Sequence, residues 1–258
     1  MKLVNEVDNT IMVPIELSEN AEQSFLQHLE NLSNVHSLPI KLNCSQLKQT
    51  TSTHIGLLWQ AREIFEEKGI KMSLLWPTPE LIRVLKVLNL TEFFNFDGDS
   101  QTIDRTEFIS FEISASPEIY RDEFIADNES LNKALEKFKQ FLIRINLTKY
   151  ISFDLIIIFY EVGNNICTHG TTNGSNKVIF KAKVFNNRIV MQFEDNGLPF
   201  NPTEKMTDFH PLEAAKKRQK RGFGLSIIKK LIDDISYTYS DNGMNKLTLE
   251  KRWSNNYE

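Results

Sequence analysis

The chain has 258 residues, enough for one large domain or two of ordinary size, each able to bury its own core. Apolar residues make up 41% and charged residues 25%, as in a soluble globular protein and not a disordered one. A net charge of −4 argues against nucleic acid as a direct partner, because phosphate backbones are held by basic faces.

The opening residues Met1-Lys2-Leu3-Val4-Asn5-Glu6 lack the apolar stretch of a signal peptide. The longest apolar run, Leu155 to Tyr160, is too short to cross a bilayer. The expectation is a cytoplasmic protein without a membrane partner. Cys44 and Cys167 fall in different halves and match no metal spacing, so both read as reduced, buried thiols.

Residues 1–97 alternate strand and helix patterns. Thr10 to Leu17 reads as a strand, and Phe25, Leu26, Leu29 and Leu32 line one face of a helix. Ile40 to Cys44 is a second strand and Ile55 to Phe65 a second helix. Ile70 to Trp76 reads as a further strand, closed by Pro77 and Pro79, before Leu81, Val84, Leu85 and Leu88 repeat at helical spacing. Such alternation predicts an α/β layer. The polar stretch Asp97 to Asp104 carries neither period, which places a linker at residues 98–106.

Residues 107–258 read differently. Glu107 to Ile113 alternates as a strand; Leu131 to Ile145 and Phe153 to His169 are long helices. Val178, Phe180, Ala182 and Val184 lead through Asn186-Asn187 to Ile189, Met191 and Phe193, a hairpin. Leu225 to Ile235 is a third helix, and Asp241-Asn242-Gly243 turns a closing hairpin between Ile235–Ser240 and Lys246–Trp253. Helices grouped around antiparallel strands predict an α+β sandwich.

Three blocks in this second half carry chemistry. In Glu161-Val-Gly-Asn-Asn-Ile-Cys-Thr-His-Gly170, the side chains of Glu161, Asn165 and His169 are four apart and share one helix face. An Asn165 oxygen suits Mg²⁺, and Glu161 one turn earlier could take a proton from an attacking hydroxyl; the alternative is a solvated polar stripe. In Phe193-Glu-Asp-Asn-Gly-Leu-Pro-Phe-Asn-Pro202, Asp195 can accept from the exocyclic amine of adenine, and Gly197 allows a close backbone approach. Asp-Asn-Gly is also a plain turn signal. Lys220-Arg-Gly-Phe-Gly-Leu-Ser226 opens a helix, where the amides around Gly222 and Gly224 can face phosphate. It is neither a Walker loop nor a dinucleotide fingerprint. Lys216, Lys217, Arg218, Lys220 and Arg221 could steady a γ-phosphate, or could simply form a basic helix face.

In this order and spacing the blocks resemble the GHKL (Bergerat-fold) ATPases, and within them the anti-sigma-factor serine kinases. The Ile113-Ser-Ala-Ser-Pro117 strand end is similar to their first strand. The resemblance implies ATP with Mg²⁺, Asp195 on adenine, Asn165 on the metal and Glu161 as catalytic base, with His169, Gly197, Lys220, Arg221, Gly222 and Gly224 around the nucleotide. Arg221 departs from it, standing where relatives often have a small residue.

Residues 1–97 resemble a STAS domain, the anti-anti-sigma module that such kinases phosphorylate. Ile40-Lys-Leu-Asn-Cys-Ser and the run to Leu58 look like its central strand, loop and helix start, and Trp76 to Leu90 its last helix. The family typically has Asp-Ser-Ser-Gly in the loop; here Thr51-Ser-Thr-His54 stands there, with Ser52 at the phosphorylated position. Ser52 and Thr53 could instead just N-cap the following helix. The expectation is a STAS domain fused to an ATP-dependent protein serine kinase, switching between a STAS-domain protein and a sigma factor, with a homodimer left open. The alternative is an ATP-binding module that sequesters protein without phosphotransfer. A histidine kinase is disfavoured, since no phosphoacceptor His-Glu helix precedes the ATP domain.

Overall fold

A computed structural model describes residues 4–5, 9–35, 38–47, 49–98, 117–170, 176–206 and 223–253. They fall into two compact units, each with a five-stranded sheet.

The first unit runs β1 (Val4–Asn5), β2 (Thr10–Met12), α1 (Glu19–Val35), β3 (Ile40–Asn43), α2 (Ser52–Glu67), β4 (Met72–Leu75), α3 (Pro79–Val87) and β5 (Asn95–Asp97). The sheet order is β1-β2-β3-β4-β5, parallel from β2 onward, with β1 antiparallel at the edge. Parallel neighbours need crossovers, and α1, α2 and α3 supply them. β2 is shorter than its apolar run: it ends at Met12, because Pro14 has no N–H to offer the ladder. The consecutive residues His54 to Ala61 of α2 are all buried, so this helix is covered on more than one side. Trp59 at its centre meets Phe93 and Phe94 edge-on, with centroids 5.5 and 6.4 Å away.

The start of α2 corrects one expectation. Its N-cap is Thr51, not Ser52 or Thr53; Ser52 is the first helical residue and half-buried. Thr51 Oγ1 accepts from the His54 amide at 3.3 Å, and His54 Nδ1 accepts from the Thr51 amide at 3.2 Å. This is a capping box with histidine in the place usually held by Glu or Gln. His54 Nε2 donates to the Ile15 carbonyl at 3.2 Å, which fixes the neutral tautomer with its proton on Nε2. Burial pushes the His54 pKa below its ordinary value, against the smaller opposing pull of the Ile15 and Pro14 carbonyls. Thr51→Ala is expected to lower the stability of the full chain by about 1 kcal/mol, and Thr51→Ser to restore it. Urea titration followed by circular dichroism measures this; parent-like midpoints for Thr51→Ala would show that the cap holds nothing.

The second unit runs β6 (Glu118–Ile125), α4 (Asn128–Arg144), α5 (Lys149–His169), β7 (Lys177–Phe185), β8 (Arg188–Asp195), the last turn, from Ile228, of α6 (Phe223–Leu231), β9 (Asp234–Tyr239) and β10 (Asn245–Arg252). Its sheet, ordered β6-β7-β8-β10-β9, is antiparallel throughout. Val178, Phe180, Ala182 and Val184 on β7 and Ile189, Met191 and Phe193 on β8 are buried, while their neighbours are half-buried or exposed. One face is therefore core and the other solvated, with α4 and α5 as the covering layer. Phe138 of α4 and Phe159 of α5 lie 5.2 Å apart, and Phe159 meets Phe180 at 4.7 Å, which stacks helix on helix on sheet. Gly163 belongs to this packing: a Cβ there would sit 2.3 Å from Leu131 Cδ1, so its bare backbone lets α4 and α5 approach.

Three details differ from the sequence expectation. β5 and β6 were not anticipated; β6 carries Arg121, Asp122 and Glu123 in its middle, which masks its alternation. The third helix ends at Leu231, and Ile235 pairs with Leu249 inside β9, because its neighbours Tyr237, Thr238 and Tyr239 favour a strand. Cys44 is fully buried, but Cys167 is half-buried; burial raises both thiols to a pKa of about 12, and neither forms a disulfide. The strand expected at Glu107 to Ile113 and the linker at 98–106 lie mostly or wholly outside the described residues.

Candidate functional site

The alternation of β8 sets the site. After Ile189, Met191 and Phe193, the next position on the core face is Asp195, a carboxylate where an apolar side chain belongs. It is 6% exposed. A buried carboxylate must be hydrogen-bonded, and Asp195 Oδ1 takes three donors: Gly197 N at 2.8 Å, Asn245 Nδ2 at 3.0 Å and Asn176 Nδ2 at 3.4 Å. All converge on one oxygen. Among the described residues Oδ2 receives no donor, so within them the carboxylate keeps one acceptor open.

Two amides brace this arrangement. Asn245 lies directly opposite Asp195 on β10, and its Nδ2 also reaches the carbonyls of Gly197 and Leu198, each at 3.2 Å. The Tyr237 hydroxyl donates to Asn245 Oδ1 at 2.5 Å. Burial, with Asp195 among the negative neighbours that add to it, raises the Tyr237 pKa above its ordinary value, so the hydroxyl keeps its proton and stays a donor. Asn176, just before β7, gives Nδ2 to the Gly170 carbonyl at 3.2 Å and accepts from Asn196 N at 3.2 Å. These bonds sew the turn after β8 to the C-terminal end of α5.

Gly197 sits at the tightest point. A Cβ built there would lie 2.2 Å from the Gly170 oxygen, 2.5 Å from Asn176 Nδ2 and 2.9 Å from Asp195 Oδ1. No side chain fits, and the backbone amide is thereby brought onto the carboxylate.

Along α5 the three polar residues are graded from inside to outside. Glu161 is 1% exposed, Asn165 is half-buried and His169 is exposed. The His169 ring stacks on Phe200 with centroids 5.9 Å apart, which links the end of α5 to the stretch after β8. Gly224 lies in the first turn of α6. Gly222, Lys220 and Arg221, and with them Lys216, Lys217 and Arg218, lie outside the described residues. So the structure joins Asp195 and Gly197 in one bonded network and keeps Glu161, Asn165 and His169 on one helix, while Lys220, Arg221 and Gly222 of the glycine-rich block lie outside the described residues.

Asn176, Asn245 and Tyr237 were missed by the sequence reading. The usable signal was Asn245: like Asp195 it occupies a core-face strand position next to an Asn-Gly turn. No cluster of three His, Cys, Asp or Glu side chains able to hold a metal by itself occurs among the described residues. No helix among them is long and apolar enough to cross a membrane.

The family profile for the histidine kinase-like ATPase domain matches residues 124–251, and the STAS domain profile matches residues 3–105. The chain is a STAS domain joined to a histidine kinase-like ATPase domain. The Asp195 network lies within the ATPase domain and the Thr51–His54 cap within the STAS domain. The chain is similar to the SiaB-SiaC complex from Pseudomonas aeruginosa, with 12% identity and a TM-score of 0.38 over 51% of this chain and 88% of that one. It is also similar to the histidine kinase domain of the blue-light activated histidine kinase EL346 from Erythrobacter litoralis, with 9% identity and a TM-score of 0.31 over 89% and 82%. No curated protein matches the sequence.

Proposed function

We propose that the ATPase domain binds Mg-ATP and phosphorylates a serine on a STAS domain, its own Ser52 or that of a separate protein, and so acts as a partner-switching regulator of a sigma factor in the cytoplasm. The observation that carries this reading is the Asp195 carboxylate. Among the described residues one oxygen is saturated by three N–H donors and the other receives none, and Gly197 removes the side chain that would crowd the carboxylate. A carboxylate oxygen accepting there fits the exocyclic amine of an adenine.

The remaining roles follow the resemblance residue by residue. Asn165 would supply one oxygen to Mg²⁺, a hard cation that takes oxygen ligands and is commonly bound together with substrate phosphates and water. Gly222 and Gly224 offer amides at the helix start, with Lys220 and Arg221 as phosphate-facing cations. His169 stands at the nucleotide's edge. Glu161 accepts the proton of the attacking serine hydroxyl. Bound ATP supplies the phosphoryl group.

We place the boundary between the domains at residues 98–106. A tether that short holds two sites at an effective concentration of about millimolar if it can span them. Phosphate on Ser52 would add about −1.5 to −2 charge at the first position of α2, where the helix dipole favours it. A second reading has one observation in its favour. Thr51 and His54 are locked to each other and to Ile15, which suits a STAS surface kept for docking without phosphorylation.

Mass spectrometry of the full chain after Mg-ATP separates the two, beside Ser52→Ala and Glu161→Ala controls. Phosphate on Ser52 in the parent and on neither control supports transfer within the chain. Calorimetric ATP binding with no phosphate on Ser52 or on an added STAS protein leaves a sequestering module. No ATP binding at all overturns both.

A further inference from the structure

Asp154 is fully buried inside α5, 0% exposed, and takes no part in the site described above. Lys251 Nζ of β10 lies 3.2 Å from Asp154 Oδ2 and also donates to the Leu231 carbonyl at 2.7 Å. Leu231 is the last residue of α6, so this carbonyl is one that the helix itself cannot satisfy, and a cation there complements the dipole. Three elements thus meet at a single ammonium group.

The placement of both charges links them to the nucleotide site. On α5, Asp154, Ile158, Glu161 and Asn165 follow one another at four, three and four residues, so they form one stripe. Glu161 lies two turns beyond Asp154, roughly 10 Å along the axis. On β10, Asn245, Leu247, Leu249 and Lys251 alternate on one face, and Leu249 is 0% exposed. The ion pair therefore ties α5 to β10 on the same helix stripe and the same strand face that carry Glu161, Asn165 and Asn245. A surface ion pair would do nothing of the kind, because it would leave both partners free to move.

We infer that Asp154, Lys251 and the Leu231 carbonyl form a positioning clasp that fixes the rotation and axial register of α5 against β10 and holds the C-terminal end of α6. Through it, the helix bearing Glu161 and Asn165 keeps its place relative to the strand bearing Asn245. Buried pairs are weak stabilisers compared with apolar residues of similar size, so selection for stability alone would not require this one. Their directional bonds give register, which an apolar contact does not. The clasp's functional part rests on the nucleotide reading above.

The experiment replaces both charges at once, Asp154→Leu with Lys251→Met, in the full chain. Thermal unfolding is expected to stay at or above the parent's, since the two charges of the pair are removed together. Amide exchange in α6 and in the second half of α5 should quicken, and Mg-ATP affinity should fall on the order of ten-fold. Parent-like exchange and affinity overturn the clasp while leaving the nucleotide reading intact. If the parent itself fails to bind Mg-ATP, the nucleotide reading falls and the positioning role with it. Should the double variant melt early, Lys251→Arg against Lys251→Met carries the test. Arg keeps a donor for both oxygens and should retain affinity where Met loses it; equal losses would reduce Lys251 to packing.

Discussion

Gly197→Ala is expected to abolish Mg-ATP binding at concentrations where the parent saturates, with a fold that is weakened but intact. The added methyl would stand 2.2 Å from the Gly170 carbonyl oxygen and 2.5 Å from Asn176 Nδ2, both of them held atoms. The Gly170 oxygen already accepts from Asn176 and from Leu198 N, so neither neighbour can yield without breaking a buried bond. Relief requires the turn after β8 to move outward. That withdraws the Gly197 amide from Asp195 and unseats the two carbonyls that Asn245 grips. Overpacking of this kind costs about 1–3 kcal/mol of stability, which a two-domain chain survives. The loss of binding should be larger than that of Asp195→Asn, which keeps the shape and changes one acceptor into a group able to present a donor. For that amide, a buried mismatch of about 1–3 kcal/mol corresponds to roughly ten- to hundred-fold weaker binding. Calorimetry on the folded variants decides it. A folded Gly197→Ala that binds Mg-ATP like the parent would remove the turn after β8 from the site.

How much of this was legible in the sequence depended on whether a residue's surroundings were local. Asp195 could be read because the apolar alternation Ile189, Met191, Phe193 leads onto it within one strand. Glu161, Asn165 and His169 could be read because helix spacing alone puts them on one face. Asn245 gave only the cue of its place beside an Asn-Gly turn; the β8–β10 register is what sets it opposite Asp195. Lys251 was hidden more thoroughly. In Lys246-Leu-Thr-Leu-Glu-Lys-Arg252 the charges look like the wet face of an edge strand, yet β10 lies between β8 and β9 and Lys251 points at Asp154. The N-cap of α2 was misplaced by a residue for a similar reason. Ser52 and Thr53 are as good cap residues as Thr51, and the choice fell to His54, whose ring is fixed by a carbonyl 39 positions away.

The burial of Glu161 sharpens what its removal should do. At 1% exposure, truncation to alanine leaves a cavity as well as removing a carboxylate, so Glu161→Gln is the cleaner variant. It keeps the volume and one acceptor oxygen, exchanges the other for an amide donor, and cannot take a proton from a serine hydroxyl. Mg-ATP affinity is expected to match the parent's, because in the proposed mechanism the carboxylate acts on the attacking group and not on the nucleotide. Phosphoryl transfer should fall by about 10²–10⁴-fold, the range that a positioned general base contributes. The loss should appear in kcat with KM for ATP unmoved, the pattern of an interaction made only in the transition state. Asn165, one turn along the same stripe and half-buried, should behave in the opposite sense: Asn165→Ala weakens binding in the presence of Mg²⁺ and leaves metal-free binding alone. Single-turnover assays with labelled ATP, beside calorimetry with and without Mg²⁺, separate the pair. Equal transfer rates for Glu161→Gln and parent would take the proton-accepting role from this residue, and the buried carboxylate would then be part of the support beneath Asn165.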